Sequence, residues 1–99
     1  SFKQRHDYVV ERLNRIRGVR CLAAQGAFYA FADFRQAIAA TSGITDDVGM
    51  AEHILNTVGV ALGPGTAFGA PGYLRLSFAT SMELLTQALD RLEGLLGRT

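Results

Sequence analysis

Cysteine occurs once, at Cys21, so no internal disulfide can form and the chain fits a reducing compartment. Lysine also occurs once, at Lys3, and proline only at Pro64 and Pro71. No apolar run approaches the ~20 residues that a membrane span requires. No basic-then-apolar stretch opens the chain, so a leader peptide is not expected. An excess of charge of one sign is missing as well: ten Lys and Arg stand against nine Asp and Glu, a formal net charge of +1. That balance argues against a nucleic-acid module, whose domain is usually basic. The expectation is a soluble, cytoplasmic protein.

What is present suits a folded domain: 99 residues, 48% hydrophobic, 19% charged and 9% aromatic. This composition excludes a disordered tail. The length allows one domain and no second, with a modest core that buries about 60–65% of the unfolded surface.

Periodicity predicts a first helix over Lys3–Arg17, with Val9, Leu13 and Ile16 on one face and Gly18 as its stop. Arg12, Arg15 and Arg17 crowd its last turn, where the helix dipole favours cations, and read as a solvated face. Val19–Leu22 and Ala27–Phe34 read as strands joined through a Gln25–Gly26 turn. Arg35–Thr45 reads as a short helical turn and a loop. Thr45 is the expected cap of a helix that carries Asp46 and Asp47 in its first turn. Val48, Ala51, Ile54 and Leu55 would form its apolar side, and Gly59 would end it. Val58–Leu62 reads as a strand, followed by an uncharged loop, Gly63–Gly72, that holds both prolines. Tyr73–Ala79 is the clearest strand. Thr80-Ser81-Met82-Glu83 reads as a capping box opening a last helix, with Leu85, Ala88, Leu89, Leu92, Leu95 and Leu96 on one side. The order α-β-β-(α)-α-β-β-α predicts an α+β sandwich: helices on one face of a mixed, mostly antiparallel sheet.

Few patterns offer chemistry. His6, His53 and Cys21 lie in separate elements without metal-ligand spacing, so no metal site is expected. There is no G-x-S-x-G, and nothing near Cys21 would activate it as a nucleophile. Gly63-Pro64-Gly65-Thr66-Ala67-Phe68 has Phe where G-x-G-x-x-G needs glycine, and it leads into a strand rather than a helix. It is no nucleotide fingerprint, although a constrained loop of this kind often lines a site. In the strand after it, Leu74, Leu76 and Phe78 share one face and Tyr73, Arg75, Ser77 and Ala79 the other. Arg75 is therefore either a solvated residue on an exposed sheet face or a planar fork awaiting a carboxylate or phosphate. The local pattern leaves both open.

Three motifs in order narrow the choice. Gly26-Ala27-Phe28-Tyr29, then Gly59-Val60-Ala61-x-x-Pro64-Gly65-x-x-Phe68-Gly69, then Leu74-Arg75-Leu76-Ser77-Phe78-Ala79 resemble the C-terminal, small domain of a fold-type-I aminotransferase dependent on pyridoxal phosphate. The pattern is most similar to the class I/II subgroup of bacterial aspartate aminotransferases. Phe2-x-x-Arg5-His6-Asp7 resembles that group's F-x-x-R-R-D with His6 in place of arginine, and Ala24 stands where proline is common. The resemblance spans nearly the whole chain. It implies that Arg75 binds the α-carboxylate of an amino-acid substrate. Phe28, Tyr29 and Phe68 would lie near the substrate side, as contacts or as packing. It also implies a homodimer acting on amino-acid and 2-oxo-acid substrates. A transaminase needs a Schiff-base lysine, an acidic partner for the pyridine nitrogen and a phosphate cup. Lys3 matches no such motif, so the large cofactor domain would precede Ser1. This chain should hold no cofactor and no catalytic residue of its own, and should be inactive alone. Two readings stand beside it: a stand-alone α+β ligand-binding or regulatory domain, and the small domain of a related β-lyase or synthase.

Overall fold

The computed structural model describes residues 2–22 and 28–99. The chain runs through helix α1 (Phe2–Asn14), strands β1 (Arg20–Cys21) and β2 (Tyr29–Asp33), helices α2 (Arg35–Ala40) and α3 (Asp47–Val58), and strand β3 (Gly63–Pro64). A single turn of 3₁₀ helix (Gly65–Phe68), strand β4 (Tyr73–Ser77) and helix α4 (Met82–Leu96) complete it. The four strands lie in the order β1-β2-β4-β3, and every described pairing is antiparallel. The expected Gln25–Gly26 turn, the Ala27 end of the second predicted strand, and Ala24 lie outside the described residues.

Alternation divides the sheet into two unlike faces. Ala30 and Ala32 of β2 and Leu74 and Leu76 of β4 are buried beneath the helices. Val9 and Leu13 of α1, Met50 and Ile54 of α3, and Leu85, Leu89 and Leu92 of α4 pack in the same core. Each such side chain contributes about 1.5–3 kcal/mol on burial. The opposite face carries no α-helix: Tyr29 and Phe31 are each 38% exposed there, and Arg75 stands opposite Phe31 on the neighbouring strand.

Polar links fix the helices around this core. Asn14 at the end of α1 accepts from Cys21 N at 2.9 Å and donates to Cys21 O at 2.8 Å, standing in for a neighbouring strand. Arg12, expected on a solvated face, is instead only 6% exposed. It donates to Asp90 of α4 at 2.6 Å and to the Tyr8 hydroxyl at 2.7 Å, which drew it inward as the bridge between the two helices. The chain end returns to the segment that follows α1, with Arg17 N donating to Gly97 O and Thr99 N to Arg15 O.

Several boundaries move from their expected places for identifiable reasons. Helix α3 is capped by Asp46, not Thr45, through its carboxylate on Gly49 N at 2.7 Å. Its buried stripe is Asp47, Met50, Ala51 and Ile54, one unbroken i, i+3, i+4, i+7 face; Val48 and Leu55 lie beside that face and are exposed. No strand forms over Val58–Leu62. Val58 still belongs to the helix, Gly59 ends it with a positive φ of 73°, and pairing begins only at Gly63 opposite Arg75. Proline at 64 then confines β3 to the sheet edge, since it has no N–H to donate. At α4 the cap is Ser81, accepting from Leu84 N at 3.2 Å, so Thr80 and Glu83 do not form the expected box.

The uncovered face exposes Phe31 (38% exposed) together with Phe68 (52% exposed), an apolar surface that favours association. The 99-residue chain should therefore self-associate, its weight-average mass rising with concentration in sedimentation equilibrium. Phe31→Glu together with Phe68→Glu should return it to monomer. A wild-type chain that stays strictly monomeric at high concentration would contradict this use of the face.

Candidate functional site

The centre of β4 places Arg75 on the uncovered face, opposite Phe31 of β2 and Gly63 of β3. Its guanidinium carbon lies 4.3 Å from the ring centroid of Tyr29 and 4.3 Å from that of Phe68, over both rings. Phe68 in turn meets Phe31 edge to face, with centroids 5.9 Å apart. A Cβ on residue 63 would come within 3.3 Å of Arg75 Nε, so glycine at that position leaves the side chain its room. Rings against the faces of a guanidinium favour its charge and leave its N–H edge free.

That edge is unused. Among the described residues the Arg75 side chain makes no ion pair and no hydrogen bond. Arg35, beside the same sheet, shows the opposite case. It donates to Asp33 from Nε at 3.0 Å and from Nη2 at 2.7 Å, and it lies over Tyr73. Hydrogen bonds from Arg35 hold the Asp33 carboxyl below the usual carboxylate range. Arg35 is already spent, whereas Arg75 presents five donors in a plane. A carboxylate approaching in that plane can accept two bonds from it.

The loop that carries Phe68 is held by one side chain. Asp47, 1% exposed, accepts from Thr66 N at 2.8 Å, from Thr66 Oγ1 at 2.7 Å and from Gly72 N at 3.0 Å. It thus ties both ends of the Thr66–Gly72 segment to the start of α3. Gly65 permits the tight path, because a Cβ there would lie 2.1 Å from Ala70 O. Burial alone would raise the Asp47 carboxyl, but the bonds from Gly72, from Thr66 and from its own backbone N–H outweigh it, and its pKa lies below the ordinary value. Sequence reasoning placed Asp47 only as a dipole-favoured acid. The available signal was its position as the first member of the 47/50/51/54 stripe, facing a loop whose backbone groups needed partners.

Of the other residues considered, Tyr29 and Phe68 come together at Arg75, and Phe28 is exposed. His6 sits edge to face with Phe78 and His53 is within 3.4 Å of Thr57, so the two histidines and buried Cys21 do not meet. No three His, Cys, Asp or Glu residues gather among the described residues. No described helix is long and apolar enough to cross a membrane.

The α+β layer that presents this arginine has relatives among known proteins. The family model described as Aminotransferase class I and II matches residues 1–92. The chain belongs to that family. It is 45% identical to an aspartate/prephenate aminotransferase of Nitrosomonas europaea over 97% of its length and 25% of that protein's. It is 48% identical to an aspartate aminotransferase of Thermotoga maritima, covering 97% of the chain and 23% of the relative. The crystal structure of the Rhizobium meliloti aspartate aminotransferase superposes with a TM-score of 0.88 at 35% identity, over 94% of this chain and 24% of that one. The chain spans about a quarter of the length of the curated relatives it matches.

Because folding lowers the pKa of Asp47, its contribution to stability is full above the unfolded value of about 3.9 and is lost as the pH falls through the folded one. Asp33 acts in the same direction through Arg35. Asp47→Asn should cost about 1–3 kcal/mol at neutral pH, because at least one loop N–H then faces an amide donor. It should also flatten, without abolishing, the loss of stability between about pH 5 and pH 2 seen by urea denaturation. An acid limb identical in the two proteins would contradict the assignment.

Proposed function

We propose that this chain is the C-terminal, small domain of a class I/II aminotransferase dependent on pyridoxal phosphate, and that it closes over the substrate and supplies Arg75 as the α-carboxylate receptor. The observation that carries the reading is the free planar edge of Arg75 on the uncovered face, its charge lying over Tyr29 and Phe68. The reaction proposed for the whole enzyme is amino-group transfer between an amino acid, aspartate foremost, and a 2-oxo acid. The names of the relatives at 45% and 48% identity support that choice.

The residues of this chain do not fit the cofactor. Its one lysine, Lys3, is exposed on α1, in the helical layer and not on the face that bears Arg75. The Schiff-base lysine and the phosphate cup are therefore assigned to the remainder of the enzyme, which would also form the homodimer. The chain alone is then inactive. Its own contribution is to bind and orient: Arg75 fixes the carboxylate in a plane, and the aromatic face around it keeps water from the bound edge.

Two charge-assisted bonds contribute about 1.5–3 kcal/mol each. Arg75→Ala in the full-length enzyme should thus lower kcat/KM for an amino acid by roughly two to four powers of ten. Arg75→Lys should recover only part of this, since an ammonium offers no planar fork. An amine substrate without an α-carboxylate should be unaffected, and thermal unfolding should barely move. Equal losses for both substrates, or an unfolded variant, would make Arg75 structural.

A further inference from the structure

The carboxylate of Asp47 is placed where helix capping does not need it. Asp46 already caps α3 through Gly49 N, and the Asp47 side chain spends its bonds on the loop instead, two on Thr66 and one on Gly72. Among the described residues no other side chain hydrogen-bonds to residues 65–72. Burying a carboxylate is costly unless its partners are complete, so the arrangement is more than a convenient start to a helix.

What the loop delivers is Phe68. The ring is 52% exposed, so packing alone does not fix it. Its position follows from the Gly65–Phe68 turn, which Asp47 holds at Thr66, and from its contacts with Phe31 and Arg75. Among the described residues the Arg75 side chain has no hydrogen bond to set its direction, and the two rings are its contacts.

We propose that Asp47 is a positioning residue for carboxylate recognition: by holding Thr66 and Gly72 it sets Phe68, and through Phe68 it sets the plane of the Arg75 guanidinium. This rests on the proposed role of Arg75. Asp47 touches no substrate in this scheme; it acts through the loop.

The test uses the full-length aminotransferase carrying Asp47→Asn, Thr66→Val or Thr66→Ser, each with and without Arg75→Ala. KM and kcat are measured for an amino acid and for an amine lacking the α-carboxylate, with thermal unfolding recorded for every variant. Asp47→Asn should raise KM for the amino acid roughly three- to tenfold, the size of a lost cation–π contact, with kcat changed less than about twofold. The amine should be unaffected. Thr66→Val, which removes one of the three bonds, should give a smaller effect in the same direction, and Thr66→Ser should restore wild-type behaviour. In the Arg75→Ala background neither change should raise KM further. Thr66→Val carries the test if Asp47→Asn fails to fold. Unchanged KM in a folded variant, equal losses with the amine, or losses that add to those of Arg75→Ala would overturn the inference and leave the role of Arg75 standing. If Arg75→Ala itself fails to distinguish the two substrates, the carboxylate reading falls and this inference falls with it.

Discussion

Strands β2 and β4 meet in one register, with Ala30 opposite Leu76, Phe31 opposite Arg75 and Ala32 opposite Leu74. Side chains alternate along a strand, so a slip by one residue would carry Arg75 under the helices and expel Leu74 and Leu76. An unpaired guanidinium in the core costs several kcal/mol, and each expelled leucine forfeits about 1.5–3 kcal/mol. Both penalties oppose the same slip. The register that completes the core is therefore the register that presents Arg75, and the fold cannot keep one while losing the other.

The second constraint works across layers. Helix α3 belongs to the covered side of the sheet, yet its first residue reaches the loop that serves the uncovered side. A buried carboxylate with three donors is rigid in a way that a solvated ion pair is not, since exposed pairs contribute only about 0–1 kcal/mol. Arg12 and Asp90 make a comparable link between α1 and α4, with Asp90 itself exposed. Helical layer and loop are thus tied through Asp47 and Thr66, and the loop's Phe68 lies against Arg75.

Much of this was legible in the sequence wherever period and polarity agree. Leu74, Leu76 and Phe78 against Tyr73, Arg75 and Ser77 declared both the strand and its two faces, and Leu85, Leu89 and Leu92 declared α4. Misreadings fell where a polar residue occupied a core position. Asp47 begins the buried stripe of α3, so a search for apolar residues turned that helix toward Val48 and Leu55. Arg12 was read as solvated because charge usually is, but Tyr8 and Asp90 satisfy it inside. The strand expected over Val58–Leu62 failed because β-branched content says little once a glycine cap and an edge proline set the path. At Arg75 the alternation gave the face, while its surroundings depended on residues distant in sequence, Tyr29 and Phe68, that only the folded chain brings together.

The central claim is that the free edge of Arg75 receives a carboxylate. A crystal structure of the full-length enzyme with a bound, unreactive dicarboxylate tests it most directly. The account predicts both oxygens of one carboxylate in the guanidinium plane, at about 2.7–2.9 Å from two nitrogens of Arg75, with Phe68 still against its face. An Arg75 paired instead to a protein carboxylate from the remainder of the enzyme, with the ligand held elsewhere, would contradict it.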